Sequence, residues 1–178
     1  MPSFSAVVTS HANPDGLRYV LGMLDGQTRI PDEIIVLVSG SPGCGFHQRP
    51  NLNDWGHAKR AEGLQMARGD WVGFFNDDDS YSSDYLAKML AAAAGADVVY
   101  CGWNTYPNCT FNLGSSTSGN FIVRREFGQN VGWTSRRYEA DGDFIEACRA
   151  NGPLIRRIDE VLYAHNIQPW ERYVGRTG

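Results

Sequence analysis

Three consecutive carboxylates, Asp77, Asp78 and Asp79, follow the apolar run Trp71 to Phe75 in the stretch GDWVGFFNDDDSY, with only Asn76 between. Like charges side by side repel unless a cation or another positive partner is present. Hard carboxylate oxygens suit Mg2+ or Mn2+ and not the thiolate sites that zinc prefers. Because Mg2+ is usually held by one or two carboxylates together with substrate phosphates, the missing ligands point to a substrate that carries a diphosphate. Neighbouring side chains of an extended chain point to opposite faces, so the three Asp residues cannot all meet one ion. One or two would ligate, and the others would bind a ribose or brace the turn. The same acids would also suit a solvated turn leading into a helix, whose N-terminus favours negative charge.

The elements that must position these acids alternate between strand and helix. Phe4 to Val8 is a short apolar run that stops at TSHANPDG, a strand and a turn. Leu17, Val20, Leu21 and Leu24 fall on one helical face, and EIIVLVS, Glu33 to Ser39, is a second buried strand. A strand–helix–strand unit implies a parallel sheet covered on both faces, which binds ligands in the crevice beyond the carboxyl ends of its strands. The acid cluster stands at such an end. Gly40 to Gly56 is a loop long enough to be functional. A helix over about Ala58 to Ala67 leads into the strand Trp71 to Phe75, and a further helix, capped by Ser82 or Ser83, buries Leu86, Met89, Leu90 and Ala93. ADVVYCGW, from Ala96, is the fourth strand.

Beyond Trp103 the alternation breaks down. TFNLGSSTSGNFIVRREFG predicts two strand-like pieces about a flexible Gly/Ser loop, DGDFIEACRANG a helix ended by Asn151 and Gly152, and LIRRIDEVLYAHN one or two short strands. The expectation is a single α/β domain over residues 1–178, with a nucleotide-binding half at 1–103 and an acceptor-binding half at 104–178.

The 178 residues suit one domain, and a formal charge of −4 argues against a general nucleic-acid surface. Cys44, Cys101, Cys109 and Cys148 lack Cys-x-x-Cys pairing and predict reduced, partly buried thiols. The first residues, MPSFSAVVTSHANPDG, do not read as a signal peptide, and no run approaches the ~20 apolar residues of a membrane span, so a cytoplasmic location is expected.

Taken together, the motifs resemble those of the family-two glycosyltransferases with the GT-A fold. FSAVVTSHANPDGLRYVLGMLDGQTRIPDEIIVLVSGS is similar to the family's first strand, Thr-containing turn and helix ending in S-x-x-x-Q-T. HAKRAEGLQMARGDWVGFFNDDDSY is similar to the basic helix that runs into F-L-D-x-D-D, and FIVRREFGQNVGWTSRRYEADGDF to the later R-r, G-g-aromatic and E-D-x-D segments. The likeness covers nearly the whole chain.

The resemblance implies that Asn76 stands where the family's first acid usually is. Asp78 becomes the foremost ligand of an Mn2+ or Mg2+ ion, with Asp79 and His165 as further candidates, and Asp77 the contact to the ribose. Thr9 and His11 would line the nucleotide pocket, and Arg60 would approach the diphosphate, although a helix arginine is equally well a solvent-facing charge. Ser39 stands near the place of the family's base-gripping Asp, and Ala61 where Asn is common. Asp141 matches the Asp of the Glu-Asp pair, with Ala140 in place of Glu, and would be the general base; it would also make a good helix cap, and Asp143 is the alternative. Trp133 would face the sugar or acceptor, or else pack in the core.

The implied activity is inverting transfer of a sugar from a nucleoside diphosphate sugar to an acceptor hydroxyl. The acceptor site would come from the Gly114 to Asn120 loop, the segment around Trp133 and the tail QPWERYVGRTG, whose Trp170 and Tyr173 could instead pack on a second copy in a homo-oligomer. A non-catalytic binding module is the alternative, motivated by Asn76, Ala61 and the missing base-gripping Asp. A nucleotidyltransferase would need a basic, Gly-rich loop after the first strand, and TSHANPDG has no Lys or Arg.

Overall fold

The computed structural model describes residues 2–40 and 45–166, so Cys44, Trp170 and Tyr173 lie outside the described residues. In chain order the elements are β1 (Phe4–His11), α1 (Pro14–Asp25), β2 (Glu33–Ser39), β3 (His47–Gln48), α2 (His57–Met66), β4 (Trp71–Asn76), β5 (Ser80–Tyr81), α3 (Tyr85–Ala91), β6 (Val98–Trp103), β7 (Phe121–Arg124), α4 (Arg125–Val131), α5 (Ala140–Ala150) and β8 (Ile155–Ala164), with a 3-10 turn at Ser118–Asn120. All strands join one sheet in the order β3-β2-β1-β4-β7-β6-β8-β5. The pairs from β3 to β4 are parallel, and β7 runs antiparallel to both its neighbours. β7, from the second half of the chain, thus sits between β4 and β6, so the two halves share one sheet.

Register sets the site. Thr9 of β1 lies beside Asn76 of β4, and His11 beside Ser39 of β2, so three parallel strands end together at the acid cluster. β1 and β4 are buried along nearly their whole length, as expected for strands covered on both faces. Helix α1 starts at Pro14, with the Asn13 side chain accepting from the Gly16 amide at 3.0 Å, and buries Leu17, Val20 and Leu24.

The structure differs from the sequence expectations in several places. Neither Ser82 nor Ser83 caps α3, because the cap position falls on Asp84, which makes no side-chain cap bond. The helix begins at Tyr85, after Asp84. Only one of the two strand-like pieces expected around the Gly/Ser loop is a strand, β7, and the loop is braced by Asn120, which accepts from the Thr117 amide and donates to the Cys101 carbonyl at 2.8 Å. The residues after β7 form α4. The last strand is a single β8 with register shifts beyond Cys101, and it meets β5 only through Tyr163 and Ala164. Cys101, Cys109 and Cys148 are free and buried. Among the described residues no helix is long and apolar enough to cross a membrane.

Gly16 shows how tightly α1 supports the acid loop. A Cβ there would lie 2.2 Å from the Asp77 carbonyl oxygen, whereas one at Gly22 of the same helix would meet nothing within 4 Å. Gly16→Ala should therefore cost about 1–3 kcal/mol and lower Tm by several degrees, while Gly22→Ala should leave Tm unchanged or raise it slightly, as thermal unfolding of the two variants will show.

Candidate active site

The three Asp side chains point three ways. Asp77 turns towards β1, where its Oδ2 accepts from the Ser10 hydroxyl at 2.6 Å and the His11 amide at 3.4 Å. Asp79, fully buried, turns towards β8. Its Oδ2 accepts from Asn76 Nδ2 at 2.6 Å and the Tyr163 hydroxyl at 2.8 Å, and its Oδ1 meets His165 Nδ1 and the Asn166 amide, both at 2.9 Å. Asp78 lines the cavity, and among the described residues no other residue donates a hydrogen bond to its carboxylate. Burial, with repulsion from Asp79 and Asp77, pushes the Asp78 carboxyl up to about 6. Burial likewise raises Asp77 above the usual carboxylate range.

Asp79, expected among the cation ligands, is thus turned inward with two partners on each oxygen. Among the described residues no three His, Cys, Asp or Glu side chains converge on a point that could hold a metal, so Asp78, Asp79 and His165 do not form a ready-made three-ligand cluster. The hydrogen bond to Asp79 lifts His165 above its ordinary value, against the opposing effect of burial. With Nδ1 on Asp79, the second ring nitrogen of His165 is the one left for another partner.

Asn76 links the strands. Its Oδ1 receives Arg60 Nη2 and, at 3.4 Å, the Thr9 hydroxyl, while its Nδ2 donates to Asp79 and to Ser118. Arg60 is only 7% exposed, so it is not a solvent-facing helix charge. Its Nη1 donates to the Trp55 carbonyl at 2.8 Å. The residue before it, the buried Lys59, donates to Ser39 Oγ at 2.7 Å, and His11 Nδ1 lies 3.0 Å from the same hydroxyl. Burial lowers the Lys59 ammonium below its ordinary value.

These groups border one open cavity of about 780 Å3, within the roughly 300–1,000 Å3 of small-ligand sites. Thr9, His11, Lys59, Arg60, Asp77 and Asp78 line it, together with Gly114, Ser116, Thr117, Tyr138, Asp141 and His165. Asp141 stands in the first turn of α5 and is not its cap, since the helix begins at Ala140. Its Oδ1 accepts from the Gly142 amide at 2.9 Å, and among the described residues Oδ2 has no hydrogen bond. Asp143 is gripped by the Arg137 fork, which holds its carboxyl down at about 2, so it is a poor proton acceptor. Trp133 packs in the core, stacked on Phe144 with ring centroids 4.7 Å apart.

With this geometry in view, the family model for glycosyl transferase family 2 matches residues 47–159. The chain belongs to glycosyl transferase family 2. A curated member-like relative, galactofuranosyltransferase GlfT1 of Mycobacterium tuberculosis, is 36% identical over 109 residues, covering 51% of this chain and 36% of GlfT1. Among solved structures, S. aureus TarS 1-349 in complex with UDP superposes with a TM-score of 0.72 at 18% identity, over 97% of this chain and 62% of that one. Glucosyl-3-phosphoglycerate synthase from Mycobacterium tuberculosis, in complex with Mg2+ and UDP, gives 0.64 at 14% identity, over 97% of this chain and 74% of that one. The fold is therefore GT-A, and this chain spans about a third of the curated relative.

Within this family fold the loop and helix before β4 carry residues that the sequence reading passed over. Lys59 sits beside Arg60 on the cavity wall, and His57 is buried at the start of α2. The sequence offered one signal, the basic run HAKR directly before the acid-bearing strand. Burial, and then the nearby Arg60 charge, drop His57 from 6.5 to about 4, against the opposing pull of Asp141 and Asp54.

That shift fixes a pH dependence. Above pH 6.5 His57 is neutral whether the chain is folded or not; between 6.5 and about 4 the unfolded chain takes up a proton that the folded one refuses. Stability linked to His57 is thus complete above pH 6.5 and lost as pH falls, by roughly 3 kcal/mol at the low end. Asp78, raised to about 6, contributes in the opposite sense as pH falls, so the His57 contribution is read as a difference: in denaturant unfolding between pH 4 and 7, His57→Gln should lose less stability towards pH 4 than the wild type does.

Proposed function

We propose that the cavity is the site of an inverting glycosyl transfer from a nucleoside diphosphate sugar to an acceptor hydroxyl. The observation that carries this reading is Asp78. It is the one acid of the three that lines the cavity without a hydrogen-bond donor from another of the described residues, and Lys59 and Arg60 belong to the same lining. A carboxylate pushed up to about 6 by burial and its acidic neighbours calls for a cation. The donor set fits a hard divalent ion: Asp78, with the outer nitrogen of His165 whose ring Asp79 orients, and substrate phosphates for the remaining positions. When bound, Mg2+ or Mn2+ would take up charge developing on the diphosphate.

In the reading we favour, Asp141 Oδ2 removes the proton of the acceptor hydroxyl. The acceptor oxygen forms its bond to the anomeric carbon as the bond from that carbon to the diphosphate oxygen breaks, and the electron pair leaves with the nucleoside diphosphate. Arg60 and Lys59 offer positive charge to that leaving group. Thr9, His11 and Asp77, at the ends of β1 and β4, hold the nucleoside, whereas Ser39, expected at the base, is fully buried outside the cavity lining and supports Lys59 and His11 instead. Asp79 has a bracing part and takes no share in ligation. The fold neighbours solved with UDP and with Mg2+, and a relative named a galactofuranosyltransferase, support beginning with uridine donors, galactofuranose donors among them.

Three measurements test this. A panel of nucleotide sugars with Mg2+ or Mn2+ should release nucleoside diphosphate in the presence of a suitable acceptor; binding without release under any combination would favour a module without turnover. Asp78→Ala should abolish the metal dependence of both turnover and nucleotide binding, and retention of either sinks the cation assignment. Asp141→Asn should lower kcat by about 10²-fold or more while nucleotide affinity is kept, and near wild-type transfer would move the base elsewhere.

A further inference from the structure

Trp55 breaks a pattern. Trp71, Trp103 and Trp133 are buried, yet Trp55 is 60% exposed on the rim of the cavity, and beside it Tyr138 is 67% exposed. The two rings meet edge to face, with centroids 5.4 Å apart and planes at 80°. They come from segments far apart in the chain, the loop before α2 and the loop before α5, so their meeting is a tertiary feature. In an edge-to-face pair one ring's broad face is covered and other faces are left open.

The backbone beneath Trp55 is strained. Asn53 and Trp55 have φ of +52° and +53°, a left-handed conformation that costs a bulky residue roughly 1–3 kcal/mol. The buried Asp54 between them holds this turn. Its carboxylate accepts from the Gly56 amide at 3.2 Å and the Ala58 amide at 2.7 Å, and Arg60 grips the Trp55 carbonyl. The turn therefore fixes an exposed indole in place at a cost.

The cavity lining beside the pair includes the side-chain oxygens of Asn51, Asn53, Glu139 and Asp141, while Arg60 and His57 lie beneath it, at the Trp55 and Tyr138 carbonyls. Amide and carboxylate oxygens accept hydrogen bonds from hydroxyls. A sugar ring has hydroxyls around its edge and C–H groups on its faces, which matches aromatic faces set among neutral and anionic acceptors.

We propose that Trp55 and Tyr138 form a stacking platform for a saccharide acceptor, whose hydroxyl is thereby presented towards Asp141. The inference rests on the glycosyl-transfer reading of the cavity and names the class of its acceptor. A peptide, or a second copy of the chain, is the competing occupant.

The test uses the full chain, labelled, on a glycan array in the presence of UDP and Mn2+, with UDP affinity measured separately by calorimetry. Wild type should bind a defined subset of glycans. Trp55→Asn, which keeps a residue tolerant of the left-handed turn, and Tyr138→Ala should each weaken those signals by about tenfold, and Trp55→Tyr should keep most of them. UDP affinity should stay within a factor of about two in all three, reporting an intact fold. The platform is refuted if wild type binds no glycan, if the substitutions leave glycan signals unchanged, or if they instead dissociate a dimer seen by sedimentation. A loss confined to wild-type UDP binding, with glycan signals still dependent on Trp55, would sink the nucleotide-sugar reading and not the platform.

Discussion

A carboxylate without solvent contact has to be supplied with donors, and the way the chain supplies them to Asp79 determines the shape of the cavity's floor. Burying the charge unaided would cost several kcal/mol, and removing a partner from such a group typically costs 3–5 kcal/mol. Its four partners come from β4, β8 and the residues just after β8, so one side chain ties the centre of the sheet to its far edge. Gly119 belongs to the same constraint, because a Cβ there would lie 2.3 Å from the Tyr163 ring that donates to Asp79. With Asp79 turned inward and Asp77 held by β1, Asp78 is left to line the cavity.

Asn76 follows from this. An amide can offer its oxygen to the Arg60 guanidinium and its nitrogen to the Asp79 carboxylate at once, and the geometry uses both ends. An acid at that place would set two buried carboxylates against each other across the 2.6 Å now spanned by the Asn76–Asp79 bond. The departure from the family's usual acid is thus matched by the local charge balance, which weakens it as a sign of lost activity.

Much of the scaffold was legible in the sequence. Glu33–Ser39 reads as a strand because it is a continuous apolar run, and β1 and β4 differ from expectation only in running on into the polar residues that line the site. What stayed hidden depends on distant contacts. REFGQNV is short and polar, and becomes α4 by packing Gly128 on Val123 and by the bond from Gln129 to the Leu64 carbonyl. β5 is two residues long and exists through its pairing with β8. Period-two geometry predicted that the three acids would diverge; which of them turned inward depended on Tyr163 and His165, more than 80 residues away. The same holds for Arg60, whose burial depends on Asn76 of β4 and the Trp55 turn as well as on its neighbour His57 in α2.

β8 has a consequence of another kind. Over most of its length one side of it has no strand neighbour among the described residues, because β5 reaches only Tyr163 and Ala164. An open strand edge is a template on which a second chain can add itself, and flat apolar edges invite aggregation. Here the open stretch carries Arg156, Arg157, Asp159 and Glu160, with Lys88 reaching across to Glu160. Pairing a second copy against it would bring charged side chains of the two chains into register. Charges of this kind are what keeps an open strand edge from serving as a template, so the sequence of β8 disfavours self-association through it.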